Sequence, residues 1–210
     1  MRKDIIKKVL IALKKAYPSG DKPWSSKIDP FVAVITTALS AQTTDDQVDK
    51  ISPALFKKYP DSASLSKARI VDVEKIIKSV GLYKTKTKNI IAAAKMLEEK
   101  YGGRVPQDRD EMIKLPGVGR KTANVVLIKA FGKNAMPVDT HIFRVSNRIG
   151  LADAKTPEKT ELELLKIIPE KDLGAAHFWL INHGRKICHA RKPECAICPV
   201  SKWCRYFKSL

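Results

Sequence analysis

Leu115-Pro-Gly-Val-Gly-Arg-Lys-Thr-Ala-Asn124 is the stretch on which the reading of this chain turns. An apolar residue closes a short helix over 110–115, Pro116-Gly117-Val118-Gly119 reverses the chain, and Arg120 opens a second helix that runs to Phe131 before Gly132. Two glycines at alternate positions permit φ > 0 and leave no Cβ between the backbone and an approaching group. The N–H groups of Gly117, Val118 and Gly119, with that of Arg120 in the first turn, can converge on an anion that the helix dipole favours. Lys121 stands in the same turn. The unit is expected to grip a phosphate and hold an amine beside it.

Working outward, the charge agrees with such a ligand. Of 210 residues, 40 are Lys or Arg and 22 are Asp or Glu, a formal charge of +18 that calls for a polyanionic partner and salt-sensitive binding. A ribosomal protein or a lysine-rich surface would share that balance, so charge gives only the sign of the partner. At 44% hydrophobic, the chain has the composition of a globular protein. No apolar run approaches the roughly 20 residues of a membrane span, and the charges of Met1–Lys15 interrupt any secretory core. The expectation is an intracellular protein of cytoplasm or nucleoid with no membrane association, working as a monomer.

Helical periodicity recurs throughout, and no segment alternates as a half-buried strand, so the class is all-α. Ile5, Ile6, Val9, Leu10 and Leu13 give an amphipathic first helix, followed by a turn-rich connector over 18–30 that is a candidate domain boundary. Phe31–Gln42 is apolar nearly all round and reads as a buried helix, with Thr44 or Asp45 capping the next. A helix is expected over Lys67–Val80, stopped by Gly81 in the left-handed C′ position, and another over Lys84–Lys100. Pro137-Val-Asp-Thr-His141 opens a helix through Arg148, and Thr156-Pro157 caps one reaching Ile168. A last helix, over 172–186, leads into the cysteines.

All four cysteines, Cys188, Cys195, Cys198 and Cys204, fall within 17 residues. Four thiolates so placed converge on a compact metal centre, Zn²⁺ or an iron–sulfur cluster, and the spacing leaves the two at even odds. Arg191 and Lys192 lie in the loop between the first two cysteines. They read equally as a fixed basic tip against DNA or as solvated charges.

Two more residues carry chemistry. A lysine amine attacks a sugar C1′ when enough of it is neutral, and Lys121 at a helix start meets the dipole end that disfavours its ammonium form. Its bland reading is a phosphate-contacting or solvated lysine. Asp139 reads as a helix N-cap, or as a carboxylate that accepts the amine's proton or stabilises a developing cation.

The hairpin, Val138-Asp-Thr-His-Ile-Phe-Arg144 and the C-x6-C-x2-C-x5-C tail, in that order, resemble the endonuclease III family of the helix-hairpin-helix DNA glycosylase superfamily. Leu39-Ser-Ala-Gln42, Ile77-x3-Gly81-Leu82-Tyr83 and His183-Gly184-Arg185 are similar too, so the likeness runs from about residue 30 to 204. The resemblance implies a two-lobed all-α fold, with a six-helix barrel over 23–133 and a second lobe built from 1–22 and 134–210. It implies a [4Fe-4S] cluster on the four cysteines, Lys121 and Asp139 as catalytic residues, and damaged double-stranded DNA as partner. Gln42 and Leu82 would fill the gap left by an extruded nucleotide, although alone they read as a helix terminus and a core residue. The activity implied is base excision of oxidised pyrimidines with AP lyase cleavage. A thymine- or uracil-mismatch glycosylase of the same superfamily is the nearest alternative, and a non-catalytic hairpin module the alternative from another class; the Lys121/Asp139 pair argues against the latter.

Overall fold

The computed structural model describes residues 1–18 and 28–210, and the chain divides into two compact units. One takes in the described residues up to 18 with Asn134–Leu210; the other runs from 28 to Lys133. The boundary expected at 22/23 lies outside the described residues, as does most of the 18–30 connector. Among the described residues every regular element is a helix, and no helix is long and apolar enough to cross a membrane.

The second unit begins with α2 (Pro30–Leu39), started by Asp29, whose carboxylate accepts from Val32 N at 3.1 Å with proline at the first helical position. Phe31, Ala33, Val34, Ile35 and Leu39 are all buried, and α2 packs against α8 (Arg120–Phe131). Each such aliphatic side chain contributes roughly 1.5–3 kcal/mol on burial. The helix ends at Leu39, three residues short of the expected Gln42, because the chain turns through Ser40 to reach α3 (Asp45–Lys58).

The helix expected over 67–80 is present in shortened form as α5 (Ile70–Ile77), and a further short helix, α4 (Ser62–Ser66), precedes it. Asp61 and Ser64 form a reciprocal capping box that starts α4 early. Arg69 is extended and grips Asp72 through two hydrogen bonds, 2.9 and 3.1 Å, which restarts the chain as α5. Both pack on α6 (Tyr83–Tyr101), the longest helix described. The short α7 (Arg109–Met112) and α8 complete the unit.

In the first unit, α1 (Lys3–Ala16) folds with chain from the far end of the sequence. Val9 and Leu13 pack among Met136, Ile142, Val145 and Leu180 in one apolar core. Those partners come from α9 (Thr140–Ile149), α11 (Leu173–Lys186) and the segment before α9, with α10 (Pro157–Ile167) alongside α9. Gly184 permits the closest approach of α9 and α11. A Cβ there would stand 2.9 Å from His141 Cβ, too close without movement, and 3.1 Å from Val145 Cγ2, a tight contact that would push the valine back.

Candidate active site and DNA interface

Asp108 caps α7, its Oδ1 accepting from Asp110 N at 2.8 Å and Glu111 N at 2.9 Å. Met112 and Leu115 are buried beneath, and Val118 N donates to Leu115 O at 3.0 Å to close the reversal. The two hairpin glycines serve different ends, contrary to the expectation of φ > 0 at both. Gly117 takes φ 79°, and a Cβ on it would lie 3.0 Å from Asn89 Cβ. Gly119 is extended (φ −88°, ψ 175°) and is the N-cap of α8; nothing lies within 4 Å of where its Cβ would be. What it contributes is an open approach to the helix start, which no side chain caps. Val118 is buried and its N–H engaged, so it anchors the turn. Lys121 is exposed in the first turn of α8.

Across a shallow pocket from Gly117 stand Gln42 and Leu82, joined there by Lys86 and Asn89. Gln42 (φ 56°) and Leu82 (φ 59°) are the non-glycine residues of the described chain in the left-handed region. That conformation costs about 1–2 kcal/mol for a residue with a Cβ, and it persists where the surroundings dictate it. The left-handed position expected at Gly81 thus falls one residue later, on Leu82, the N-cap of α6. Leu82 is 64% exposed, so a core role for it is gone. The structure brings Gln42, Leu82 and Gly117 to one pocket.

Asp139 belongs to the other unit. It is the N-cap of α9, with Oδ1 accepting from Ile142 N at 2.8 Å; Val138 before it is buried. His177 Nδ1 lies 2.9 Å from Pro137 O, tying the approach to Asp139 onto α11. The cap reading is therefore met, and the carboxylate is held rigidly.

The four cysteines line one pocket with His183, Ile149 and Ile187. Among the described residues no three His, Cys, Asp or Glu side chains close on a single metal ion. Four cysteines brought to one pocket are a donor set that would hold an iron–sulfur cluster. Burial and the neighbouring sulfurs push the Cys198 thiol up to about 11, so the site favours thiolates only with a cationic centre among them. Around it, Arg148 Nη1 lies 3.6 Å from Cys188 Sγ and donates to His189 O at 2.6 Å, while Nη2 reaches Ala190 O at 2.8 Å. Arg144 holds Cys188 O at 3.0 Å and Gly184 O at 2.9 Å. Buried His183 sits 3.7 Å from Cys198 Sγ and 3.0 Å from the Tyr17 hydroxyl. Burial pulls His183 down to about 4 and pushes Tyr17 up to about 12. Arg191 and Lys192 are exposed at the tip of the loop, which a His189–Glu194 contact of 3.2 Å closes.

Sequence patterns miss Lys86, Arg148 and the His183–Tyr17 pair. Only Lys86 leaves a trace, since it continues the buried stripe of Ile90 and Leu97.

Residues 35–170 match the model of the HhH-GPD superfamily base excision DNA repair proteins. The chain belongs to that family. Residues 188–204 match the iron–sulfur binding domain of endonuclease III. The chain is 48% identical to endonuclease III of Rickettsia felis over 209 residues, covering 100% of this chain and 98% of the relative. A trapped covalent intermediate of endonuclease III with DNA, an estranged-adenine complex, superposes with TM-score 0.89 at 40% identity, covering 100% and 98% of the two chains. A thermostable thymine-DNA glycosylase follows at TM-score 0.85 and 30% identity, over 99% and 98%. As a member of this repair family the chain is a DNA-binding enzyme, a DNA glycosylase with associated AP lyase activity. Its cofactor is a [4Fe-4S] cluster.

Proposed function

We propose that this enzyme removes oxidised pyrimidines such as thymine glycol from duplex DNA, with Lys121 as nucleophile and Asp139 as its acid–base partner. The observation that carries the reading is the hairpin: an exposed amine in the first turn of a helix whose N-terminus no side chain caps. A backbone phosphate seated on Gly119 and Arg120 would bring the sugar within reach of that amine. Among the superposed structures, the greater likeness to endonuclease III (40%) than to the thymine-DNA glycosylase (30%) favours oxidised bases over mismatches.

In the reaction, Asp139 takes a proton from the Lys121 ammonium, and the freed lone pair attacks C1′. The C1′–N bond breaks and its electron pair leaves with the base, which is protonated. The amine then loses a proton as the sugar ring opens to an imine, and removal of a C2′ proton expels the 3′-phosphate by β-elimination. Gln42 and Leu82 enter the stack where the nucleotide has left, an amide toward the orphaned base and an apolar wedge beside it. Cys188, Cys195, Cys198 and Cys204 hold the cluster. When bound, it cross-links the tail and fixes the loop bearing Arg191 and Lys192, which contact phosphate.

Borohydride trapping on duplex DNA carrying thymine glycol tests this. Wild-type protein is expected to become covalently linked to the DNA, and Lys121→Ala to give no adduct. Absence of a wild-type adduct on thymine glycol, with an adduct on a G·T mismatch, would move the assignment to the mismatch enzymes.

A further inference from the structure

Lysine is almost never fully buried unless its charge is paired. Lys86, on the first turn of α6, is 7% exposed. Its Nζ donates to Leu39 O at 2.8 Å and to Thr43 Oγ1 at 2.7 Å, which bracket the turn carrying Gln42. Among the described residues it has no carboxylate partner; burial lowers the pKa of its ammonium. The two turns also lie close together: a Cβ on Gly81 would meet Thr43 Oγ1 at 3.5 Å and Gln42 O at 3.7 Å, and Gln47, in the first turn of α3, donates its Nε2 to Ser79 O. The turns bearing Gln42 and Leu82, both left-handed without glycine, are thus in contact and fastened to one helix.

We propose that Lys86 is a positioning residue for nucleotide extrusion: it locks the Gln42 turn onto the helix that starts at Leu82, so both side chains enter the DNA stack as one rigid body. This rests on the assignment of Gln42 and Leu82 as the gap-filling residues. Burying an ammonium without a carboxylate beside it carries a desolvation cost that an apolar side chain would not, so filling space alone does not account for a lysine here. Its donors instead make the backbone carbonyl at 39 and the hydroxyl at 43 point one way.

The test compares single-turnover release of thymine glycol with cleavage at a preformed abasic site, where no base needs to be unstacked. It also follows the fluorescence of 2-aminopurine opposite an abasic analogue. Lys86→Met is expected to keep its helical circular dichroism and to stay folded at the assay temperature, with a melting temperature lowered by the carbonyl it leaves unpaired. Its base-release rate relative to abasic cleavage should fall by about tenfold, since misplacement of roughly an ångström can cost up to 100-fold. The 2-aminopurine signal on binding should fall with it, and Lys86→Arg should recover part of both. Thr43→Val, which removes one acceptor, should move both readouts the same way by a smaller factor, and it decides the matter if Lys86→Met does not fold. A ratio within about twofold of wild type in the deciding variant, while Gln42→Ala and Leu82→Ala lower it, would overturn the role of Lys86. If Gln42→Ala and Leu82→Ala also leave the ratio and the fluorescence unchanged, the gap-filling assignment itself is overturned.

Discussion

The N-termini of α8 and α9 both start with the unpaired backbone donors that any helix presents, yet the residues at the two N-cap positions differ in kind. At α8 the cap is Gly119, which has no side chain to offer, and open space lies where its Cβ would be. At α9 the cap is Asp139, whose own carboxylate satisfies Ile142 N at 2.8 Å. An uncapped start waits for an anion from outside. A capped one holds its anion in place and presents a carboxylate whose orientation is already set. The same backbone geometry is thus left open in one unit and filled by a fixed charge in the other.

Substitutions that exchange or cancel these two caps put the contrast to work. The largest effect is expected from Asp139→Asn. Asparagine caps as well as aspartate, so the melting temperature should stay close to wild type, while kcat should drop by at least about 100-fold for want of a proton acceptor. Near-normal turnover would reduce Asp139 to a cap. Next comes Gly119→Asp, which gives α8 the cap of α9. The carboxylate should occupy the place of the DNA phosphate and weaken duplex binding by roughly tenfold, with the salt slope reduced by about 1. The same change should stabilise the fold by up to about 1 kcal/mol. Unchanged affinity in a filter-binding titration would mean that the phosphate sits elsewhere. The smallest effect is the stability difference between two variants at one position: Asp139→Ala, inactive like Asp139→Asn, should in addition lose about 1 kcal/mol, seen as a melting temperature roughly 2–4 °C lower.

These contrasts also show what a sequence displays and what it hides. Helix α8 runs from Arg120 to Phe131 as expected, because Gly119 and Gly132 punctuate it at both ends. The Asp139 and Thr156 caps are equally visible, since capping is a local transaction between residues three apart. Helix α4 and the late start of α5 at Ile70 escape, because they are set by the Asp61–Ser64 capping box and the Arg69–Asp72 pair and not by apolar periodicity. Gly81 misleads for a related reason: glycine permits a left-handed turn but does not require one, and here Leu82 takes it. Lys86 and Arg148 act on backbone carbonyls 47 and 42 residues away or thereabouts, at Leu39 and Ala190. No periodicity announces a contact of that range. The cysteine spacing fixed that a metal centre exists; the way the pocket fails to close on one ion is a property of the folded tail.

The two left-handed residues have a thermodynamic corollary. Immobilising a loop residue costs about 1–2 kcal/mol in backbone entropy. Because Lys86 holds the ends of the turn at 40–43 onto α6, and Gln47 of α3 holds the turn at 79–82, that loss is borne when the chain folds. In the gap-filling role proposed for them, Gln42 and Leu82 would have little freedom left to surrender to a duplex, and more of the contact energy would remain to drive apart a pair of stacked bases.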